Sequence, residues 1–481
     1  MNRFIDFLRD RLVDFSLNHP KVVVGLAIAL TIAAATQLPR IQIDTDPEHM
    51  LREGEPARII HHEIKERFNI YDFLVIGLVR EDGAFRPSTL QRVHGLAAHL
   101  RRLDGVVGED LLSPSDVDVI VSEAGGSIRV ERLMEEPPVD AEGARRIHET
   151  LLDNAILRGK LGSDDGKALA LYVPLRSKED AEEIGASALE WLAAHPGDEE
   201  VHVAGLPVAE DTFGSAMFKQ MAISAPMAFV VIFLLMLFFF RRPQIVAAPM
   251  IVAVMTVIWT MGLLVGMGFK VHIMSSMIPI FLMPIAVLDS VHILSEVHDH
   301  YRKHDSMRST VRHVLHDLFT PMTLTSLTTF VGFIALIATP IPPVQVFGAF
   351  VALGVFFAWI LSLTFNPAFA ILLPEKALIN FGAAHEGPGA PASHLQRFMT
   401  GAKRFHTPIL GFAVIILVFS GIGVSKIRVN DNPVHWFKSN HPLRIAEQRL
   451  GDHLAGTYMA YLELKSDETD AFLDPELLVW T

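Results

Sequence analysis

The chain has 481 residues, half of them hydrophobic and 20% charged, with no cysteine and a formal net charge of −13. That balance is too apolar for an ordinary soluble domain and too polar for a bare bundle of spans, so it predicts membrane helices joined to a sizeable water-exposed domain. The acidic charge argues against nucleic acid as a partner, and the lack of cysteine excludes disulfides and thiolate metal sites.

Residues 1–19 set Phe4, Ile5, Leu8, Leu12 and Phe15 on one side and Arg3, Arg9, Asp10 and Arg11 mostly opposite, the pattern of an amphipathic interfacial helix. Residues 20–38 then form a first apolar run of bilayer length. The alanines at 33–35 also resemble a signal-peptide cleavage site. The long segment ahead of them, and the repeat described below, favour a retained span. Residues 39–216 turn polar and acidic. Strand-like stretches at 71–79, 117–121, 168–174 and 201–204 alternate there with helix-like ones at 87–103, 141–157 and 179–194. The alternation predicts an α/β domain of ferredoxin-like, split-βαβ type. Residues 217–374 hold five more apolar stretches, near 221–240, 245–267, 273–295, 320–338 and 344–373. A Gly-, Pro- and Ala-rich linker occupies 375–406, a seventh span 407–424, and a second polar domain starts at 425–481.

Basic residues fix an expected orientation. Arg3, Arg9, Arg11 and Lys21 precede the first span, and Arg241 and Arg242 fill the turn after the second. Arg302, Lys303, Arg308 and Arg312 follow the fourth, while Lys376, Arg397, Lys403 and Arg404 precede the seventh. The alternate loops carry almost no charge. By the positive-inside rule the N-terminus is cytoplasmic and the α/β domain extracytoplasmic.

The segment LPRIQIDTDPEHML at 38–51 resembles VSKIRVNDNPVHWF at 424–437, with Ile41, Pro47 and His49 matching Ile427, Pro433 and His435. The shift is 386, which is 427 minus 41, and without a gap it also pairs Pro56, Arg58 and Ile59 with Pro442, Arg444 and Ile445. Each copy follows a span, as in a parallel duplication of the kind that builds pseudo-twofold transporters. Two full repeats need about 770 residues, twice the shift, so further spans are expected from a missing C-terminal half or from a second subunit.

The stretch IPIFLMPIAVLDSVHILS at 278–295 carries the strongest functional signal, because Asp289 lies inside a bilayer-length apolar run. A carboxylate at that depth costs several kcal/mol unless it is paired, protonated or facing an aqueous cavity. His292 and Glu296 follow at helical spacing, and Pro284 frees the carbonyl of Ile280 one turn before the acid. The fifth span is rich in hydroxyls: Thr323, Thr325, Ser326, Thr328 and Thr329. They either pair with Asp289 and line a water wire, or serve close helix packing. Asp289, His292, Thr325 and Thr329 are the proton-relay candidates, set against a plainer role for Asp289 in helix–helix bonding. Glu296 fits a solvated helix end. His298, His300, His304, His313 and His316 have spacings that permit a metal, but an amphipathic surface helix explains them, and no metal or other cofactor is expected. No phosphate-cradling loop is present to suggest direct ATP drive, and the spacing Gly262–x–x–x–Gly266 suggests close helix packing.

Three motifs, VAGLPV at 203–208, VLDSVHIL at 287–294 and LTSLTTFVGFIAL at 324–336, together with the order of spans, resemble the resistance–nodulation–division (RND) superfamily. The likeness is to its MMPL-like, hydrophobe/amphiphile-exporting branch, and spans two to six also match a sterol-sensing unit. The resemblance implies a transporter rather than an enzyme, in which Asp289 takes up a proton outside and releases it inside. It implies export of lipids or other amphiphiles from a bacterial inner membrane, with a periplasmic carrier or a homo-oligomer as further partners. Ser290 departs from relatives that have a second Asp or a Tyr there. A SecDF-like aid to protein translocation and a non-transporting lipid-sensing scaffold are the alternatives.

Overall fold

A chain immersed in hydrocarbon must satisfy its backbone amides within each segment, so the long apolar runs wind into helices. The computed structural model describes residues 2–44, 46–122, 128–301, 306–373, 404–427, 432–458 and 461–466. Most of the expected linker at 375–406, and the end of the second polar segment, lie outside these residues.

In chain order the helices begin with α1 (Asn2–Asn18), α2 (Pro20–Ala35), α3 (Pro56–Phe68), α4 (Pro87–Leu100), α5 (Ala141–Asp153) and α6 (Ala181–Ala194). The long ones follow: α7 (Leu206–Phe240), α8 (Pro243–Gly266), α9 (Ile278–His300), α10 (Met307–Ile334), α11 (Pro342–Leu372) and α12 (His406–Ser425), with the short α13 (Pro442–Gly451) last. The strands are β1 (Ile43–Asp44), β2 (Asp72–Val79), β3 (Asp118–Ser122), β4 (Ile128–Arg132), β5 (Ala168–Leu175), β6 (Glu200–Ala204) and β7 (Val271–His272). Among the described residues seven helices, α2 and α7 to α12, are long and apolar enough to cross a membrane. The chain divides into a helical unit, Met1–Thr45 with Ala216–Asp431, and an α/β unit, Asp46–Ser215 with Asn432–Thr481.

In the helical unit α8, α9 and α11 form the interior, while α7, α10 and α12 keep most of their apolar surface uncovered by protein. Close approach depends on small residues. A side chain at Gly262 would run into the backbone of Ala34 on α2, and one at Gly354 into Leu282 and Thr260. The expected fourth span starts at Ile278 rather than 273, because Val271 and His272 pair as a short parallel strand with Ile43 and Asp44. Helix α1 differs from the interfacial expectation over its second half. It buries Val13, Ser16 and Leu17 rather than Phe15. Ser16 Oγ donates to Thr364 O at 2.6 Å, and Arg308 and Arg312 reach Leu17 O and Asp14, each at 2.8 Å.

In the α/β unit an antiparallel sheet runs β5-β2-β6, with Val75 opposite both Tyr172 and Ala204. Isolated bridges from Val106 to Leu175 and from Leu112 to Tyr172 extend it beyond β5. Strand alternation sends Leu74, Ile76 and Leu78 to one face and Val75, Gly77 and Val79 to the other. Helix α6 covers the first face, where Gly185 approaches Leu74 and Val203, and α13 covers the second, where Leu450 lies over Gly77. Both faces are covered, so after Asp72 β2 reads as an unbroken apolar run, FLVIGLV, instead of an alternating one.

Candidate functional site

Helix α9 carries Asp289 in its middle. Pro279 sits in the first turn, where a missing N–H costs nothing, whereas Pro284 withholds an N–H from Ile280 inside the helix. Leu282, Met283, Ala286, Val287, Ile293 and Val297 bury this helix among its neighbours. The same packing takes Asp289 down to 6% exposure and Ser290 to 1%.

The two adjacent polar residues face different partners. Ser326 Oγ on α10 donates to Asp289 Oδ2 at 3.0 Å. Ser290 Oγ accepts from Asn366 Nδ2 on α11 at 2.7 Å, lies 3.3 Å from Ser362 Oγ, and is 3.2 Å from the Ala286 carbonyl of its own helix. Asn366 Oδ1 is buried with no donor among the described residues, and both Asn366 and Ser290 edge a cavity of about 40 Å³ otherwise lined by apolar side chains. Trp359 Nε1 donates to Thr323 Oγ1 at 3.2 Å and ties α11 to α10 beside this layer. Among the described residues no Lys, Arg or His forms an ion pair with Asp289, so a single neutral hydroxyl holds the buried carboxyl.

The expected relay residues separate in space. His292 is exposed on α9 and within electrostatic reach of Asp289. Thr325 Oγ1 donates to Pro321 O at 3.0 Å, and Thr329 Oγ1 to Thr325 O at 2.9 Å, so both hydroxyl protons go to their own helix backbone. Ser326, one residue round from Thr325, is the hydroxyl brought to the acid. The sequence placed it in the same hydroxyl-rich run, but only the rotation of α10 against α9 selects it. Ser362 and Asn366 had no sequence signal beyond an Asn–Pro pair within an apolar helix. Of the histidines weighed for metal, His304 lies outside the described residues. His300 pairs with Glu296 at 3.2 Å and His313 with Asp317 at 3.6 Å.

A second, half-buried polar cluster, in the α/β unit, escaped sequence reasoning. Lys178 Nζ lies 2.8 Å from Glu48 Oε1, 3.3 Å from Asp46 Oδ1 and 3.6 Å from Glu210 Oε2. Lys65 adds a contact at 2.8 Å to Asp72 and one at 3.9 Å to Glu48, and His61 stands 3.3 Å from Glu48. Burial pushes the Glu48 carboxyl up, but the hydrogen bond and charge of Lys178, with Lys65 and His61, outweigh it and hold the pKa at about 2. Burial likewise works against the Lys178 ammonium, and the surrounding carboxylates, Glu210 foremost, raise its pKa above the ordinary lysine value.

Seven candidate spans, an α/β unit inserted after the first, and a buried acid held between two helices of the bundle define a polytopic membrane protein of the transporter type. Residues 74–393 match the MMPL family, and the chain belongs to that family, whose members are RND-type transporters. It is also similar to a Methanocaldococcus jannaschii protein named as a membrane protein, 22% identical over 377 residues, covering 75% of this chain and 93% of that protein.

Proposed function

We propose that the protein is a proton-motive-force-driven RND-type transporter exporting lipids or other amphiphiles from a bacterial inner membrane, with Asp289 as the group that carries the proton. One observation carries the proposal: a carboxyl at 6% exposure inside a membrane helix, bonded by one neutral hydroxyl and no cation among the described residues. A cation beside it would lock the charge in place. A serine leaves both protonation states accessible, since its hydroxyl donates to a carboxylate and accepts from a carboxylic acid. Moving one such charge through 100 mV is worth about 2.3 kcal/mol, enough to bias a two-state rearrangement of the helices.

The α/β unit is the extracytoplasmic porter domain, of ferredoxin-like, split-βαβ type. Two features support this: helices α4 and α6 connect strands of an antiparallel sheet whose first strand, β2, is central, and the basic residues gather in the loops on the other side. A relative named as a membrane protein, covered almost end to end, supports a membrane protein over a soluble one.

The test uses the full chain in vesicles of bacterial phospholipid doped with fluorescently tagged phosphatidylethanolamine, with an imposed pH gradient. The expected result is gradient-dependent redistribution of the tagged lipid that Asp289→Asn abolishes while the protein still inserts. Equal redistribution by Asp289→Asn, or by the parent after the gradient is collapsed, refutes the proton role.

A further inference from the structure

Ser290 and Asn366 stand at the head of a crevice in the helical unit. On α9 its lining runs Ser290, Ile293, Val297, and on α11 Asn366, Ala370, Leu373, two stripes at helical spacing. From Ser290 to Val297 is about 10 Å of helix. Val297 lies in the last turn of α9 and Leu373 follows the end of α11, while Ile245 lies in the first turn of α8 and Met307 opens α10. The crevice thus reaches the ends of four helices, on the side where the loops carry Arg241, Arg242 and Arg308. Ser290 and Asn366 are buried, whereas Ala370 and Leu373 are half-buried, so it opens toward that side.

Its size decides what it takes. About 40 Å³ holds one water, whose share of the liquid is about 30 Å³, and falls far short of the roughly 150 Å³ cavity that admits benzene. The polar atoms ask for the same occupant. Asn366 Nδ2 is spent on Ser290 at 2.7 Å, while Oδ1 is buried and accepts no bond among the described residues. A buried amide oxygen left without a donor is costly. Ser290 Oγ keeps a second lone pair when its own proton goes to Ser362 or to the Ala286 carbonyl. A water between the two oxygens makes two bonds, enough for an ordered internal water. Beyond it Ile293 and Val297 are buried and present only hydrocarbon, and an apolar constriction passes water only when it widens.

We infer that this crevice is the inner water entry of the helical unit and that Asn366 is its positioning residue. Oδ1 holds the innermost water, and Ile293 and Val297 form an apolar neck toward the basic loops. For its purpose the inference rests on the proton reading. Asp289 precedes Ser290 and faces α10, another wall of the crevice, so opening of the Ser326 bond lets the carboxyl meet this water and release its proton to the cytoplasmic side. Entry of water is a separate property, measured without any gradient.

The chain has no cysteine, so single cysteines report that access directly. Ile293→Cys and Ala370→Cys are made in the full chain. The control is Leu288→Cys, exposed on α9 and outside the crevice lining. Inside-out and right-side-out membrane vesicles are treated with silver ion, a thiol reagent small enough for the crevice. The thiols left are counted with a fluorescent maleimide after denaturation. Because a thiolate forms only where water reaches it, both crevice cysteines are expected to react roughly tenfold faster than the control, and from the cytoplasmic face alone. Adding Asn366→Leu should slow Ile293→Cys about fivefold, the occupancy that one net hydrogen bond supplies, and leave Ala370→Cys unchanged. Reaction of Ile293→Cys no faster than Leu288→Cys, or from the opposite face, overturns the water entry. An unslowed Ile293→Cys in Asn366→Leu removes Asn366 from it. These rates stand or fall whether or not Asp289→Asn moves lipid, so the crevice and the proton reading fail separately.

Discussion

Replacing Lys178 by methionine removes a charge and keeps the length of the side chain. In the folded protein Lys178 bonds Glu48 at 2.8 Å and lies near Asp46 and Glu210, with its own side chain 18% exposed. Holding Glu48 at a pKa of about 2 instead of the ordinary carboxylate value corresponds to roughly 3 kcal/mol of stability at neutral pH. Lys65 and His61 remain to hold Glu48 in the variant, and Glu210, which burial pushes up to about 7, takes up a proton when it loses its cation. We therefore expect Lys178→Met to destabilise the protein by up to about 3 kcal/mol, below the range for breaking a fully buried ion pair. The pH dependence follows from the sign of the Glu48 shift. A carboxyl depressed in the folded state contributes its full stability above the unfolded value and loses it as pH falls through about 2. The parent should thus lose stability steeply in acid, and Lys178→Met, already lacking the interaction, should lose less. Urea unfolding in micelles at about pH 7 and about pH 3, followed by tryptophan fluorescence, measures both effects. Equal midpoints for parent and variant at neutral pH, or equal acid losses, would refute this account of the cluster.

Ser326→Ala strips Asp289 of its donor and should cost about 1–3 kcal/mol of thermal stability together with most gradient-driven lipid movement; an unchanged transport rate would detach the hydroxyl from the relay. Gly77→Ala should destabilise by about 1–3 kcal/mol through overpacking against Leu450, and Leu450→Ala by about 2–5 kcal/mol through the cavity it leaves. The double variant should be more stable than the sum of the two losses implies, which a urea double-mutant cycle measures. Gly262→Leu should lower the melting temperature in micelles by forcing α2 away from α8, whereas the same change at Gly332, where nothing lies within 4 Å, should leave it nearly unchanged.

Spans were the most legible part of this sequence, since lipid forces an apolar run of sufficient length into a helix whatever its neighbours. Their ends were less so. The helices α7 and α10 begin at Leu206 and Met307, more than ten residues ahead of the apolar runs near 221 and 320, because a helix continues past the hydrocarbon wherever no residue breaks it. Helix α3 was passed over although Ile60, Ile64 and Phe68 recur at helical spacing: Glu55 supplies no cap bond, and adjacent polar residues dilute the pattern. Strand β4 was missed as well; in IRVER only Ile128 and Val130 mark the period of two. At the candidate site, Asp289 was legible because a lone acid in an apolar run is conspicuous. Its partner was not, because whether Thr325, Ser326 or Thr329 faces α9 depends on a rotation that a hydroxyl-rich helix does not encode. The Lys178 cluster was beyond reach, joining residues 130 positions apart that each look like ordinary surface charges.

The half-buried Glu48 and the buried Asp289 are given partners of different kinds. Glu48 is surrounded by Lys178, Lys65 and His61, a set that favours one ionisation state so strongly that no ordinary change of pH alters it. Asp289 is at least as well buried, yet its bonded neighbour is a serine, and the next polar layer, Ser290 with Ser362 and Asn366, is again neutral. Neutral donors and acceptors can reverse their hydrogen bonds when a proton arrives, whereas a lysine cannot. The helical unit thus bonds its buried acid through neutral hydroxyl and amide groups, with the exposed His292 within electrostatic reach. If those groups serve proton exchange, replacing a hydroxyl by a cation should stop transport without harming the fold. Ser326→Lys is the sharpest such change, since an ammonium next to Asp289 fixes the carboxylate. A Ser326→Lys protein that folds and still moves lipid down a pH gradient would show that Asp289 never changes charge in the cycle.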